Sequence, residues 1–557
     1  MLATERRLLA IRDWGRAKGV VMPPPLLLGL AVFAGLLAVT PLVYIVIRAV
    51  GASPDTWGRL WSGRIPGLLA NTLMLVAFTA AFTATLGMGL AWLVERTDLP
   101  GRGFWRWVLA LPLAVPAYVG ALCYLIVLRR GGLLEQAMMQ WGGFNSLQVP
   151  LPSLYTLWAA TIIVGLFTFP YVYLPVSAAL RSTNWSLEEA ARVGGQSAWG
   201  AFRRVVLPLL RPALLAGTLL VCLYALSDFG TVALLQYRTF TVAIYNQFAG
   251  SVDRSGAAIL SVVLVLLSTP LLFLEAWSHR RSRRYVAQAS WKPRRLVALG
   301  RWRWVAAGGV SLVGMLSLGL PLLVLGGLTV QGWLWPTPVD RIWSVGGDDL
   351  WRYGLNSLLL AGLAASIAIL LAFAPAYLAS RYPHRFVLAL LAAGKSGYSL
   401  PGIIVGLSLV LLFSNWVPVL YGTVAVLVLA FGIRFLPQAL ASTEAAMKAA
   451  SPKLEQAART MGRKPWQVFR EITLPMIAPW LAAGWALVFL TSMKELPTAI
   501  LLRPPGFDTL PVRIWAASSE SIYTQAAPPA FLLISLTVLA MALLFARRKF
   551  GTDEVVL

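Results

Sequence analysis

Long apolar runs recur along the whole chain and constrain its fold more than any other feature. Each run approaches or exceeds the roughly 20 residues that an α-helix needs to cross the hydrocarbon core of a bilayer. Backbone groups in lipid must be hydrogen-bonded internally, so the runs predict an all-α polytopic membrane protein with about 12 transmembrane helices. The twelve predicted segments lie near residues 26–50, 68–94, 104–128, 155–180, 209–233, 257–277, 304–330, 355–379, 386–413, 417–440, 477–500 and 527–546.

Composition excludes an ordinary soluble enzyme, because 58% of the residues are hydrophobic and 12% are charged. The formal net charge of +25 could suit a nucleic-acid partner. Lys and Arg that flank membrane helices explain this charge more simply, so we expect the lipid bilayer and no nucleic acid as a partner. Cys123 and Cys222 each lie inside an apolar run, which leaves no disulfide or Cys-based metal site, and we expect both to pack in the interior.

Basic residues mark one side of the predicted membrane and the centre of the chain. The N-terminal tail contains Arg16 and Lys18, and the densest basic run follows His279. By the positive-inside rule both termini are predicted to be cytoplasmic, with the first helix retained. The basic run is either a plain topology signal or a docking site for lipid or protein. The predicted organisation is a tail (1–25), a first half (26–278), a linker (279–303), a second half (304–546) and a tail (547–557).

An internal repeat relates the two halves. Residues 187–195 read LEEAARVGG, and 267 positions later residues 454–462 read LEQAARTMG. A second match, with a different offset, relates the first helices of the halves. The same two offsets pair Trp199 with Trp466, Phe202 with Phe469, Leu207-Pro208 with Leu474-Pro475, Asn71 with Asn356, and Pro116 with Pro401. The chain is therefore predicted to consist of two homologous six-helix halves.

The repeated segment resembles the Glu-Ala-Ala motif of the integral-membrane subunits of binding-protein-dependent ATP-binding-cassette importers. The first copy fits at Glu188, Glu189, Ala190, Ala191, Gly195, Leu207 and Pro208. The second fits at Glu455, Gln456, Ala457, Ala458, Gly462, Leu474 and Pro475, with Gln456 where the family usually has Glu. The resemblance implies the type I importer transmembrane fold in a bacterial inner membrane. It also implies alternating access, a periplasmic binding protein, and two copies of an ATPase subunit that bind ATP–Mg and grip one motif copy each.

The residues of each copy suit a short helix that a partner could grip. Ser186 is a plausible N-cap, acidic residues occupy the first turn, and Gly195 is expected to end the helix. The paired alanines would permit close approach by the partner, and the aromatic residues that follow could anchor the helix on its own bundle. An interfacial amphipathic loop without a partner is the alternative interpretation.

A nucleotide-binding loop within this chain is not expected. The nearest match, residues 389–396, ends in Gly394-Lys395-Ser396 but has Ala389 in place of the first Gly and lies in an apolar run. We therefore expect that the chain is not an enzyme and binds no cofactor of its own. Lys395 would lie at membrane depth, where a cation snorkels, pairs or faces a cavity.

Two acidic residues at repeat-equivalent positions are candidates for the substrate pathway. Asp228 and Glu495 follow the docking segments at the 267-residue offset, and within the family fold they would face each other across a pseudo-two-fold axis. Intramembrane carboxylates are functional candidates, and a carboxylate pair is chemically apt for a hard cation such as Fe³⁺, which both would bind transiently if iron is the substrate. Pairing with Lys494, or capping of helix ends, is the alternative role.

The neighbourhoods of both acids resemble those of fused ferric-iron permeases. The segments concerned are 227–232 with 240–245, and 494–498 with 501–506. The resemblance makes Fe³⁺ the expected substrate. The same machinery with thiamine, polyamine, phosphonate or sulfate remains an alternative, and a secondary transporter is the alternative of a different class.

Overall fold

A computed structural model describes residues 23–142, 149, 151–183, 185–250, 254–282, 296–334 and 347–547. Within these ranges the regular elements are helices, and one isolated bridge joins Thr97 to Val297. The basic N-terminal tail and residues 283–295 of the linker lie outside the described residues. The cytoplasmic placement of the termini therefore stays a prediction.

The described residues of the first half and of the start of the linker form fourteen α-helices. Their bounds are α1 Pro25–Val50, α2 Pro54–Gly63, α3 Ile65–Arg96, α4 Arg102–Val108, α5 Ala117–Leu128, α6 Leu133–Gly142, α7 Leu157–Thr168, α8 Pro170–Ser182, α9 Ser186–Val193, α10 Ala198–Ala201, α11 Leu207–Ser227, α12 Gly230–Leu234, α13 Phe240–Gly250 and α14 Ser255–Ser282.

The rest of the described chain forms twelve more. They are α15 Arg303–Gly314, α16 Leu320–Leu334, α17 Gly347–Arg381, α18 Arg385–Lys395, α19 Gly402–Trp416, α20 Val424–Ala449, α21 Pro452–Thr460, α22 Pro465–Val468, α23 Leu474–Ser492, α24 Pro497–Leu502, α25 Leu510–Ser519 and α26 Tyr523–Arg547.

The predicted all-α membrane architecture is confirmed. In the described residues, ten helices, some of them running through a short turn, are long and apolar enough to span a bilayer. The pair α7 and α8, bent by 45° at Pro170, makes an eleventh. The predicted segment 386–413 is broken into α18 and α19, and α19 has 15 residues. Its break contains Pro401, which has no N–H to continue a helix.

The same kind of break occurs at the equivalent place in the first half. There α4 is followed by a 3-10 turn at Leu111–Ala114 and then by α5, while α18 is followed by a 3-10 turn at Ser396–Ser399 and then by α19. Pro116 and Pro401, aligned by the repeat, both stand at the N-cap of the second helix with extended backbone. Interrupted apolar segments at matching positions of two repeats are a common sign of a translocation pathway.

The helices group into two compact units that do not coincide with the sequence halves. Unit A contains Met1–Ile45, Leu355–Phe507 and Leu543–Leu557, and unit B contains Val46–Gly354 and Asp508–Ala542. In unit A the part of α1 up to Ile45 is bound to α19, because the Ser408 hydroxyl donates to the Pro41 carbonyl over 3.0 Å. In unit B the Tyr124 hydroxyl donates to the Leu316 carbonyl over 3.0 Å. The predicted halves thus describe the repeat, whereas packing exchanges helices between them.

Within each unit a repeat-equivalent glycine permits close helix packing. A Cβ at Gly217 of α11 would lie 2.6 Å from the Tyr171 carbonyl oxygen of α8. At Gly484 of α23, 267 residues later, it would lie 2.5 Å from the Ser442 Cβ of α20. Small residues of this kind let membrane helices approach closely. Cys123 and Cys222 are buried free thiols, as predicted.

Candidate functional site

The first Glu-Ala-Ala copy forms the short helix α9, and the second forms α21. We call α9 and α21 the docking helices, after their predicted role, and residues 186–208 and 452–475 the docking segments. Gly195 follows α9 with a φ of 86°, and Gly462 follows α21 with a φ of 82°. These values favour glycine, which explains why both copies have it there. The predicted Ser186 cap is wrong: Ser186 is the first helical residue, and Trp185 occupies the N-cap position.

The Leu-Pro pair of each motif coincides with a local change of helix geometry. A π-helical turn spans Phe202–Val206 before Leu207-Pro208, and an equivalent turn spans Phe469–Thr473 before Leu474-Pro475. Proline has no N–H for the carbonyl four residues earlier, and its ring presses on that turn, so the backbone widens. Each docking segment is therefore joined to its long membrane helix through the same bulge.

The two docking helices expose similar surfaces. Glu189 and Ala190 of α9 are exposed, and so are their counterparts Gln456 and Ala457 of α21. The change from Glu to Gln therefore alters only an exposed surface. Ala458, which we expected to face a partner, is 1% exposed and packs within unit A.

Of the predicted aromatic anchors, the phenylalanines fulfil that role and the tryptophans do not. Phe202 packs edge-on against Trp92 of α3, with ring centroids 5.1 Å apart. Phe469 packs against Phe373 of α17, with centroids 5.8 Å apart. Trp199 and Trp466 lie over these rings but are 69% and 66% exposed. Both tryptophans consequently belong to the exposed surface of the docking segments.

A buried ion pair fastens α21 to the end of a long membrane helix. Arg381, the last residue of α17, donates to Glu455 of α21, and the closest N–O distance is 2.7 Å. The guanidinium also donates to the Ala450 carbonyl over 3.0 Å, and Glu455 accepts from the Thr473 hydroxyl over 3.1 Å. The side chains of the pair are 8% and 7% exposed.

An equivalent ion pair fastens α9 to α3. Arg96, the last residue of α3, donates to Glu188. The Arg96 guanidinium carbon lies 3.4 Å from the centroid of the Trp185 ring and 5.4 Å from that of Trp92. Aromatic faces here take the place of the carbonyl oxygens around Arg381.

Sequence reasoning missed both arginines, although a signal was present. Glu188 and Glu455 are related by the 267-residue offset, and Arg96 and Arg381 by the 285-residue offset that also relates Pro116 and Pro401. Extending the second offset to the end of α3 would have found them.

Lys395, the basic residue of the false nucleotide-binding loop, lies at the end of the continuous helix α18. Its ammonium group pairs with Glu444 of α20. Of the three possibilities considered for this cation, the structure therefore shows pairing. The helical backbone offers no loop of free N–H groups around a phosphate.

Asp228 directly follows α11 and precedes the short helix α12. Its carboxylate is buried and accepts from the Thr231 hydroxyl over 2.9 Å and from the Val232 N–H over 3.2 Å. The Thr241 hydroxyl donates to the Asp228 carbonyl over 2.7 Å. These contacts correspond to the helix-capping alternative.

Glu495 has the equivalent position before α24. The Thr498 hydroxyl lies 2.8 Å from Glu495 Oε1 and 3.1 Å from the Gly402 carbonyl. A Cβ at Gly402 would lie 2.1 Å from Glu495 Oε1, so the carboxylate occupies the space that any larger residue would need. Glu495 is therefore held against the broken apolar segment of unit A.

The two acids belong to different units, so the prediction that they face each other across a pseudo-two-fold axis stays a prediction. In the part of the chain that the structure describes, no three His, Cys, Asp or Glu side chains come together as a metal site. Transient binding of Fe³⁺ by Asp228 and Glu495 likewise stays a prediction.

Comparison with known proteins agrees with the motifs and their geometry. Residues 84–284 and again residues 368–548 match the family described as "Binding-protein-dependent transport system inner membrane component". The chain belongs to this family. It contains the family's domain twice, so it is a fused two-half permease, and the resemblance predicted from the sequence is confirmed. Membership implies a multi-pass inner-membrane protein with a binding protein and an ATPase as partners, which argues against the secondary-transporter alternative.

The relatives of this permease differ in length and substrate. It is 30% identical to the Fe(3+)-transport system permease protein FbpB 2 of Haemophilus influenzae over 528 residues, which cover 94% of this chain and 98% of that protein. It is 28% identical to the molybdenum transport system permease protein ModB of Escherichia coli over 38% of this chain and 92% of that protein. It is 29% identical to the sulfate transport system permease protein CysW of Escherichia coli over 45% of this chain and 84% of that protein.

Proposed function

We propose that this permease carries ferric iron, delivered by a periplasmic binding protein, across the bacterial inner membrane by alternating access. Two copies of a separate ATPase subunit drive the cycle, one on α9 and one on α21, and both termini are cytoplasmic. The permease binds ATP at no site of its own and hydrolyses none. The observation that carries the substrate assignment is the match to a ferric permease at 30% identity over 98% of that protein's length.

The acids at the ends of α11 and α23 support a cationic substrate. Both carboxylates follow a membrane helix, and each is held by a threonine hydroxyl at the same relative position, Thr231 or Thr498. Oxygen ligands of this kind suit a hard trivalent cation. In the proposal iron exchanges transiently with these donors, because a site that bound it tightly would slow its release.

Uptake into proteoliposomes tests the substrate. The reconstituted system contains the permease, its ATPase and its binding protein, and ⁵⁵Fe³⁺ uptake is measured with ATP inside the vesicles and the binding protein outside. We expect ATP-dependent uptake that collapses in Asp228→Asn and in Glu495→Gln while basal ATP hydrolysis persists. Asp55→Asn, at an exposed acid of α2, is the control and is expected to transport normally.

The matches to molybdenum and sulfate permeases define the competing substrates. The same vesicles are therefore also supplied with labelled molybdate and sulfate. Uptake of an oxyanion with an active ATPase, and no uptake of iron, would refute the ferric assignment and leave the importer assignment intact. Thiamine, polyamine and phosphonate importers are distinguished in the same way.

The proposed ATPase stoichiometry is tested at the exposed alanines. Ala190→Trp and Ala457→Trp each place a large side chain on one docking helix without disturbing the core, because both positions are exposed. We expect native mass spectrometry to find two ATPase subunits on the wild-type permease, one on each single variant and none on the double variant. Two ATPases on the double variant would contradict these docking surfaces.

A further inference from the structure

In the described residues the docking helices contact mainly the segments that follow them directly in the chain. No side chain of α9 is fully buried, and α9 packs mainly on α10 and the π-helical turn that follows it. In α21, Glu455 and Ala458 are the buried residues. A contact between each docking helix and a membrane helix distant in sequence is therefore supplied by Arg96–Glu188 in unit B and Arg381–Glu455 in unit A.

Arg96 and Arg381 each lie at the end of a long membrane helix. The helix α3 has 32 residues and ends at Arg96, and α17 has 35 residues and ends at Arg381. Each is longer than a bilayer requires, so a displacement of its end moves a helix that crosses the whole membrane. The ion pairs thus lie where motion of the docking helices could reach the membrane helices without passing through Gly195 and Gly462.

We propose that Arg96 and Arg381 are positioning residues that latch the docking helices to α3 and α17, and that the latches transmit ATP-driven motion to the bundle. The proposal rests on the proposed importer function but not on the identity of the substrate. Each latch stays closed through the cycle, so helix and docking segment move together. Breaking a latch leaves the ATPase bound and active but uncouples ATP hydrolysis from substrate transport.

The same vesicles test the latches in Arg96→Ala and Arg381→Ala. Uptake is expected to fall at least about tenfold, within the range typical of coupling between sites, while ATP hydrolysis continues, so that more ATP is used per substrate ion. Lys448→Ala is the matched control. Lys448 pairs with Glu444 over 3.7 Å at the end of α20, but its side chain is 54% exposed. Uptake by this variant is expected to match wild type.

A covalent tether separates a latch from a merely structural ion pair. In a Cys123→Ala and Cys222→Ala background, which removes the two native thiols, the cysteine pair introduced by Arg96→Cys and Glu188→Cys can be bridged selectively with a short bifunctional methanethiosulfonate. We expect bridging to restore uptake and a reductant to abolish it again. Restored uptake would show that transport depends on a mechanical link between the two helices and not on the charges of the ion pair.

Hydrogen exchange supplies a readout that needs no transport. In the full chain with bound ATPase, amides of 186–193 are expected to exchange at least about tenfold faster in Arg96→Ala than in wild type or Lys448→Ala. An unchanged ratio of uptake to ATP hydrolysis in both arginine variants would overturn the proposed latch. Absence of uptake by the bridged protein would also overturn it. Absence of uptake in the wild type for every ion offered would instead count against the proposed function.

Discussion

The two repeats share their chemistry at the docking segments but differ inside the membrane helices. Tyr171 of α8 packs against Tyr224 of α11, with ring centroids 6.1 Å apart. The equivalent pair in unit A is Gln438 and Thr491, joined by a hydrogen bond of 3.0 Å. The same helix crossing is therefore held by aromatic contact in one unit and by a polar contact in the other.

Another membrane position shows the same divergence. Phe167 of α7 corresponds by the 267-residue offset to Arg434 of α20. Arg434 donates to the Leu400 carbonyl over 2.6 Å, next to the break before Pro401. A cation within a membrane helix needs such a partner, and the broken segment supplies a carbonyl with no helical N–H.

At the docking segments three structural features are retained. Both units contain the positive-φ glycine, the π-helical turn and the Arg–Glu ion pair. Under the proposed function two copies of one ATPase subunit constrain the docking ends equally, whereas the membrane interior only has to fill its space and satisfy its polar groups.

The ion pairs should differ most in their cost to stability. Arg381→Ala leaves Glu455 buried without its cation, which is expected to lower the free energy of unfolding by about 3–5 kcal/mol. Arg96→Ala should cost less, about 2 kcal/mol, because Glu188 is 14% exposed and can turn toward water. Unfolding of the full chain in detergent measures both values. Equal losses would show that the surroundings of the two pairs do not matter.

The next largest change in stability is expected from substitutions that alter the space around Asp228 and Glu495. Gly402→Ala collides with Glu495 and is expected to cost about 1–3 kcal/mol. The equivalent residue of the first half is already Ala117, and the equivalent acid there is the shorter Asp228. Adding Glu495→Asp to Gly402→Ala should therefore recover most of the loss, while Ala117→Gly should cost about 1 kcal/mol or less. Thermal unfolding compares the four proteins, and no recovery in the double variant would refute the size complementarity.

The threonine donors should differ by the number of contacts that remain. Thr498→Val removes the hydroxyl donor of Glu495 and is expected to cost about 1.5 kcal/mol. Thr231→Val should cost about half as much, because Asp228 keeps the Val232 N–H. Denaturation in detergent provides the comparison. A larger loss of stability in Thr231→Val than in Thr498→Val would contradict this expectation.

The smallest effect is expected at the aromatic and polar crossings. Thr491→Val removes the hydrogen bond to Gln438 and should cost about 0.6 kcal/mol, the average for such bonds between membrane helices. Tyr171→Phe keeps both rings in contact and should cost less. A double-mutant cycle with Gln438→Leu isolates the polar contribution, and a coupling energy near zero would contradict it.

Much of the fold and of the docking segments was predictable from short stretches of sequence. The apolar lengths predicted the spanning helices, and the spacing from Glu189 to Pro208 predicted a short helix, a glycine and a following long helix. The helix cap at Ser186 was wrong because neighbouring turns compete for the first residue, and a difference of one position is within the usual uncertainty of helix ends.

The helical membrane class, the repeated motif and the family were predictable without coordinates, because each depends on composition or on spacing within a few dozen residues. The packing of distant helices determines that Glu188 and Glu455 pair inward while Glu189 and Gln456 stay exposed. It also decided that Ala458 is buried and that α1 packs with the second half. Arg96 and Glu188 are 92 residues apart, and Arg381 and Glu455 are 74 apart. Contacts over such separations depend on how helices cross, which no local pattern specifies.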